Sequence, residues 1–383
     1  MMRHGGTGGD VEQHRARLVS LDAFRGVAIA GMILVNQEIG DEAYPAVRHA
    51  TWNGWTLADL VFPFFLFAVG VAITLSITKR RSQGVGDLAL FLQILKRSVL
   101  LIAIGLAMHG FPFTGEHLAG MRWPGTLQRI GICYGIAAVI YLKGSLRAQI
   151  GWLAGLLGAY WLLMQLVPVP GVGAGVYEPG RNFAAYVDSL FLSGHMWPWH
   201  PSWDPDGIMS MLPAVGTTLF GILAGRLLQQ SIAQEEKTIW MFVSGYFLML
   251  IGVILDMWLP INKSIWTSSY AIFTAGFALV VFSTFYWIVD VRGHRRGTGF
   301  LSIYGVNAIV AFVGSGILKR GMEMIRWTTS DGSGTDLEQY IFSLCSRVFA
   351  DARMANLVYS LAFAAAMYGV VWVLWKKNVI IRV

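Results

Sequence analysis

The chain has 383 residues, of which 55% are hydrophobic and 13% are charged. Soluble domains carry about 25% charged residues, so this composition excludes an ordinary soluble protein and is typical of a polytopic helical membrane protein. The net charge of +7 is explained by the basic residues that collect in the cytoplasmic loops of membrane proteins, and no nucleic-acid partner is predicted.

Ten apolar segments follow one another along the chain, and each is long enough to form a transmembrane helix. We therefore predict an all-α fold, a polytopic membrane helix bundle of about ten transmembrane helices. The polar N-terminal tail, residues 1–17, has no signal-peptide core, and residues 18–383 are predicted to form a single transmembrane domain. The ten segments are residues 20–39, 57–78, 93–110, 125–142, 149–168, 207–229, 238–259, 265–289, 299–318 and 355–375.

The lysines and arginines of the loops predict the orientation of these helices. If the N-terminus is cytoplasmic, the basic residues concentrate in alternate loops and both termini are cytoplasmic. Two long loops then lie on the extracytoplasmic side, at about 169–206 and 320–354. The first is rich in Gly, Pro and Trp, and the second contains WTTSDGSGTD, which predicts a flexible loop.

The second apolar segment contains a carboxylate, Asp59, and follows a polar stretch that includes His49. An ionisable group within a span is costly, so it indicates a functional site by default. On a helix, Asp59 shares one face with small and polar residues, which we expect to point into the bundle, while the bulky faces point to lipid. The residues of this face are Asp59, Pro63, Leu66, Gly70 and Thr74.

The fourth segment carries Gln128 and Arg129 at a depth similar to that of Asp59. This similarity predicts an Asp59–Arg129 ion pair in the outer half of the bundle. Such a pair either belongs to a functional site or only locks two helices together.

His49 lies at the extracytoplasmic mouth of the second segment, close to Trp52 and Asn53. Imidazole is the usual general base near neutral pH, and it also accepts acyl groups as a nucleophile. The alternative is a histidine at the membrane surface. Asn36, at the outer end of the first segment, is either a helix C-cap or an amide that orients a group in the same pocket.

Charged residues also occur at the cytoplasmic side, namely Asp22 and Arg25 in the first segment and Lys96 and Arg97 in the third. A cluster of cations there is suited to phosphate groups, although positive-inside anchoring explains the cations equally well. In the first long loop, aromatic rings and carboxylates suit a sugar, but tryptophan is also common at membrane interfaces. These loop residues are Trp197, Trp199, Trp203, Asp204 and Asp206.

Several segments together resemble the heparan-α-glucosaminide N-acetyltransferase family of transmembrane acyltransferases. They are LVSLDAFRGVAIAGMILVN, HATWNGWTLADLVFPFFLFAVG, RWPGTLQRIGICY, DPDGI, PINKSIWTSSY and GVNAIVAFVGS. The resemblance implies transfer of acetyl from cytoplasmic acetyl-CoA to the amine of a terminal glucosamine on the far side of the membrane. Acetyl-CoA is then the acetyl donor, and no metal is predicted.

The resemblance also implies roles for individual residues. His49 is tied to acetyl transfer, with Thr51 in place of the family's serine, and Asn36 is placed beside it as a second catalytic residue. The cytoplasmic residues Asp22, Arg25, Lys96 and Arg97 are predicted to bind the donor. Residues predicted to support the active site or bind substrate are Trp52, Asn53, Asp59, Gln128, Arg129, Asn262 and Lys263.

The chain resembles a bacterial-type member in this family, because about seventeen polar residues stand where the lysosomal members carry a luminal domain. We therefore expect an integral protein of the bacterial cytoplasmic (inner) membrane, in contact with lipid. Its acceptor would be an amino sugar or glycan, and analogy leaves room for a homodimer. The competing prediction is an amino-sugar or sugar transporter with His49 and Asp59 as proton-coupling groups.

Overall fold

The computed structural model describes residues 18–37, 39, 43–329 and 332–380. Within these residues, a 3₁₀ turn at Leu57–Leu60 leads into the second helix, and a π-helical turn at Tyr286–Val291 extends the tenth. Two short antiparallel strands are β1, Arg326–Thr328, and β2, Gly334–Asp336. The α-helices are α1 Val19–Val35, α2 Val61–Ser82, α3 Asp87–Gly110, α4 Gly115–Ala119, α5 Thr126–Lys143, α6 Leu146–Leu166, α7 Phe183–Phe191, α8 Met211–Gln229, α9 Gln234–Leu255, α10 Ser268–Phe285, α11 Thr298–Val306, α12 Ala308–Met324, α13 Leu337–Val348 and α14 Ala352–Lys376.

The fold is nearly all-α, and a helix coincides with each of the ten predicted segments. Six helices of the described residues are long and apolar enough to cross a membrane, which identifies an integral membrane protein. The ninth segment is broken into α11 and α12, which meet at an angle of 77° and give a seventh span if the pair is counted as one. The number of ten spans and the cytoplasmic termini stay predictions.

The two long loops contain more structure than predicted. Helix α7 lies within the first loop. In the second, β1 and β2 form a hairpin, and the Asp336 carboxylate caps α13 by accepting a hydrogen bond of 2.8 Å from Gln339 N. The segment WTTSDGSGTD therefore contributes to two paired strands, while its flexibility stays a prediction.

Helix α2 lies at the centre of the bundle, where α1, α5, α8 and α10 surround it. Its small face contacts protein, as predicted: a Cβ atom on Gly70 would lie 2.0 Å from Thr218 O, and one on Gly221 would lie 2.0 Å from Phe67 O. The backbones of α2 and α8 are therefore in direct contact. The expectation that the bulky faces point to lipid was wrong, since Phe64 and Phe65 are also buried.

Helices α3, α9 and α14 lie at the periphery and expose large apolar side chains. Examples are Leu88 and Leu92 on α3, and Tyr246 and Phe247 on α9. Such continuous apolar faces suit contact with lipid.

Substitution of Gly70 by Ala tests the contact between α2 and α8. The added methyl group would meet backbone atoms of α8, so we expect the free energy of unfolding to fall by about 1–3 kcal/mol. Thermal unfolding in detergent measures this. Gly151→Ala in α6 is the matched control, because its Cβ would meet no atom within 4 Å. An equal loss of stability in both variants would contradict the predicted contact.

Candidate active site

Asp59 is held at the start of α2 by a local hydrogen-bond network. Thr56 precedes the 3₁₀ turn in a capping box with Asp59. Asp59 Oδ2 accepts hydrogen bonds of 3.0 Å from both Thr56 N and Ala50 N. Tyr270 anchors the backbone by donating its hydroxyl to Asp59 O at 2.5 Å. The carboxylate is fully buried, and these donors offset the cost of burying it.

His49 binds the other oxygen of this carboxylate, with Nδ1 2.8 Å from Asp59 Oδ1. A neutral imidazole that donates from Nδ1 keeps its lone pair on Nε2. The His49 side chain is 38% exposed and lines a cavity of about 480 Å³. The other residues of this cavity are Ala43, Pro45, Arg48, Thr51, Thr56 and Arg353.

Lys263 completes the cluster from the segment between α9 and α10. Its Nζ lies 2.9 Å from each ring nitrogen of His49 and 3.6 Å from Asp59 Oδ1. Burial lowers the pKa of Lys263, whereas the charge of Asp59 opposes this shift. Lys263 therefore lies where it acts directly on the charge of the imidazole.

Two loops are joined to bring Lys263 to His49. Gly54 N donates to Ile261 O at 2.7 Å, and Asn262 Nδ2 donates to Asn53 Oδ1 at 3.1 Å. Asn262 is fully buried, and its Oδ1 accepts a hydrogen bond from Ile265 N. The predicted residues Asn53, Asn262 and Lys263 thus belong to one assembly with His49 and Asp59.

Arg129 does not pair with Asp59, so that prediction was wrong. Its Nε lies 3.2 Å from Asp206 Oδ1, and its Nη2 donates to Pro205 O at 2.8 Å and to the Ser210 hydroxyl. The guanidinium also lies over the ring of Trp266. Its carboxylate partner comes from the segment before α8, a position that helix depth alone does not reveal.

The first long loop is fixed by ion pairs. Arg122 binds Asp204 through two hydrogen bonds of 2.7 and 2.5 Å and also contacts Asp206. Burial lowers the pKa of Arg122, but these carboxylates together outweigh burial and raise it. The sequence indicated Asp204 and Asp206 as possible sugar ligands, but both carboxylates are paired with arginines.

Asp188 lies in the same loop and was not predicted from the sequence. Burial raises the pKa of its carboxyl group to about 6.

Trp52, three residues after His49, contacts the first long loop. Its Nε1 donates to Tyr177 O at 2.7 Å, and its ring packs edge-on against Trp203 at 5.1 Å between centroids. Trp52 therefore has a structural role, and its support of the active site stays a prediction. Trp199, by contrast, is 80% exposed.

Gln128, which was predicted to support the active site, makes its hydrogen bonds away from His49 and Asp59. It donates to Trp123 O and lies 3.3 Å from His109 Nδ1.

Asn36 is the C-cap of α1, which is one of the two roles predicted for it, and its carbonyl accepts a hydrogen bond from Lys319. Leu34, two residues earlier, lines a small cavity that shares Ala43 and Arg353 with the cavity at His49. Asn36 therefore lies at the same end of the bundle as His49.

The four predicted donor-binding residues lie on two helices with different neighbours. Asp22 and Arg25 are on α1, which packs closely on α11, whereas Lys96 and Arg97 are on α3, which packs on α5. The Arg97 guanidinium lies over the ring of Tyr134. A single cluster of these cations stays a prediction.

Thr56 and Tyr270 were missed by the sequence reasoning. The spacing Thr-x-x-Asp before an apolar run is a capping-box signal, and it would have identified Thr56. Tyr270 gives no such signal, because its hydroxyl reaches Asp59 from a helix more than two hundred residues away.

These features define a multi-pass membrane protein with a buried carboxylate–imidazole pair that opens to a cavity at one end of a helix bundle. Residues 17–141 match a family model described as a domain of unknown function, DUF5009. The chain is 33% identical over 350 residues to heparan-α-glucosaminide N-acetyltransferase of Homo sapiens, and 30% identical over 367 residues to that of Mus musculus. The alignments cover 78% and 82% of this chain.

Over about four fifths of its length, the chain is thus similar to heparan-α-glucosaminide N-acetyltransferases. It spans about half the length of the curated relatives it matches, 52% of the human protein and 55% of the mouse protein.

Substitution of Asn262 by Ala tests the junction of the two loops. The Ile265 N–H would lose its buried acceptor, at a cost of about 1–3 kcal/mol, and Lys263 would lose its fixed position. We expect a lower melting temperature and faster acetylation of Lys263 by acetic anhydride, measured by peptide mass spectrometry. Asn182→Ala removes a comparable buried amide, which accepts from Ala185 N and donates to Glu178 O. It should lower the melting temperature without changing the reactivity of Lys263, and equal reactivity in both variants would refute the junction's role.

Proposed function

We propose that this chain is a membrane-embedded acetyltransferase. It takes acetyl from acetyl-CoA on the cytoplasmic side and transfers it to the amine of a glucosamine-type sugar on the extracytoplasmic side. His49 acts as the acetyl acceptor or as the general base. The membrane is the bacterial cytoplasmic membrane, and the acceptor is an amino sugar or an amino-sugar-containing glycan.

The observation that carries this proposal is the His49–Asp59 pair beside the cavity of about 480 Å³. Acyl transfer to an amine needs a base, because an ammonium group has no lone pair with which to attack a carbonyl. Asp59 orients the imidazole and stabilises its protonated form, while Nε2, which in this structure also contacts Lys263 Nζ, is the nitrogen that would take part in the reaction. The similarity to the two relatives supports the same chemistry, since both are named as N-acetyltransferases.

The reaction begins when the ammonium group of a sugar in the cavity loses a proton to His49 and becomes an amine. The amine then attacks the acetyl carbonyl, and coenzyme A leaves as the thiolate. In the other route, His49 Nε2 takes the acetyl group first and passes it to the amine. Asn36 keeps its proposed role as hydrogen-bond donor to the developing oxyanion, a contact whose loss costs about 2.7–4 kcal/mol in other enzymes.

The donor has to reach His49 from the opposite end of the bundle. A helix of about twenty residues is roughly 30 Å long, so the proposal requires a cavity that admits part of the nucleotide from the cytoplasmic side. Asp22, Arg25, Lys96 and Arg97 are the proposed contacts for the donor. Movement of α1 relative to α3 would bring the two pairs of residues to one ligand.

An acetylation assay with variants of the pair tests the proposal. Purified protein in detergent is expected to convert radiolabelled acetyl-CoA and glucosamine into labelled N-acetylglucosamine. His49→Ala should abolish the product, and Asp59→Asn should lower the rate by about 10²–10⁴-fold because the imidazole loses its orienting carboxylate. His117→Ala is the control, since this histidine is exposed and its ring bonds to His109 O. Full activity in His49→Ala would refute the proposed role.

The same assay separates the two routes and the competing function. Label that stays on the wild-type protein without acceptor, and disappears in His49→Ala, would assign His49 as the acetyl carrier. Binding of acetyl-CoA without product would point to a different acceptor. Accumulation of labelled amino sugar in vesicles without acetyl-CoA would instead identify a transporter.

A further inference from the structure

The contact between Lys263 and His49 joins two groups that both become cationic on protonation. Lys263 Nζ lies 2.9 Å from each ring nitrogen of His49. Asp59 Oδ1 serves both, at 2.8 Å from His49 Nδ1 and 3.6 Å from Lys263 Nζ. One carboxylate balances one positive charge, so a state in which both bases are protonated leaves an uncompensated cation in a largely buried site.

We propose that Lys263 is a positioning residue of the reaction centre: Lys263 and His49 share one positive charge opposite Asp59, and a charged Lys263 holds His49 in its neutral, reactive form. The role of Lys263 in catalysis rests on the proposed function. The sharing of one charge rests only on the positions of His49, Asp59 and Lys263.

The electrostatic environment agrees with this geometry. Burial and then the charge of Lys263 lower the pKa of His49, while the hydrogen bond and the charge of Asp59 oppose the shift. Charged groups from other elements also surround the pair. Arg48 and Arg353 line the same cavity, while the charges of Asp206 and Arg129, which are paired with each other, act on Lys263. Lys263 is the cation in contact with the His49 ring, and its charge acts on the protonation of His49.

Sharing one charge has a consequence for the proton balance of acetyl transfer. The acceptor ammonium loses two protons while its nitrogen bonds to the acetyl carbon and the carbon–sulfur bond breaks. His49 takes one of these protons, and the imidazolium beside Lys263 is then a stronger acid than it would be without this cation, so it passes the proton more readily to the coenzyme A thiolate. The other proton leaves to solvent. Lys263 thus keeps the base free before the reaction and drives its proton onward afterwards.

The reactivity of His49 towards diethyl pyrocarbonate tests the proposal without any acetyltransferase assay. This reagent modifies neutral imidazole, so the pH dependence of its rate, followed by peptide mass spectrometry of the full chain in detergent, reports the pKa of His49. In Lys263→Met the midpoint should rise by about one pH unit or more, because burial is then the only one of these effects that opposes the stabilisation of imidazolium by Asp59. Lys263→Arg keeps the charge and should keep the midpoint near that of the wild type.

His117, which is exposed and bonds to His109 O, serves as the internal reference and should not shift in any variant. An unchanged His49 midpoint in Lys263→Met would overturn the proposal. So would an equal shift in Lys263→Arg, because it would indicate a structural effect of the side chain.

The pH profile of acetylation is the second measurement. A histidine whose pKa is held low stays neutral down to a lower pH. As the pH is lowered, Lys263→Met should therefore lose activity before the wild type does. The midpoint of the acid limb of its pH profile should lie at a higher pH, by the same amount as the shift in the reactivity of His49. Lys263→Arg should retain the wild-type limb. If the reactivity of His49 shifts as expected but no variant forms product, the shared charge stands and the proposed acetyltransferase function fails.

Discussion

The buried carboxylate of Asp59 is the group on which this end of the molecule depends. A charge at the start of a membrane helix is tolerated only when nearby donors replace its water. Thr56 and Ala50 supply backbone donors to one oxygen, while His49 and Lys263 face the other. The segments before α2 and between α9 and α10 therefore converge on a single carboxylate, and the same requirement that stabilises the charge assembles the candidate site.

The scaffold around Asp59 is suited to this task because it is rigid where the site is built. Helix α2 is enclosed by other helices and touches the α8 backbone through Gly70 and Gly221. Arg129, at the base of the first long loop, is held by Asp206, Pro205 and Ser210. Catalytic geometry needs groups fixed within a fraction of an ångström, and side chains locked by packing and hydrogen bonds provide this.

Hydropathy predicted the helices well and the contacts between distant segments poorly. Each predicted apolar segment coincides with a helix because a run of apolar residues is a local property of the chain. His49 and Asp59 were both selected as site residues, yet Asp59 was paired with Arg129 on the basis of depth alone. The true partner of Arg129, Asp206, lies at the end of the first long loop, and Lys263 approaches His49 from 214 residues away. Such pairings depend on how the loops fold over the bundle, which no periodicity records.

The break between α11 and α12 constrains where the protein can meet its surroundings. At a bend of 77° the backbone cannot complete its helical hydrogen bonds, and inside a membrane such groups have to be surrounded by protein. Asn307 at the bend donates its side-chain amide to Val379 O. Helix α11 packs so closely on α1 that a Cβ atom added at Gly26 would lie 1.8 Å from Leu301 O. The backbone at the break is thereby supported by its own chain. The apolar side chains that α3 and α9 expose are suited to contact with lipid.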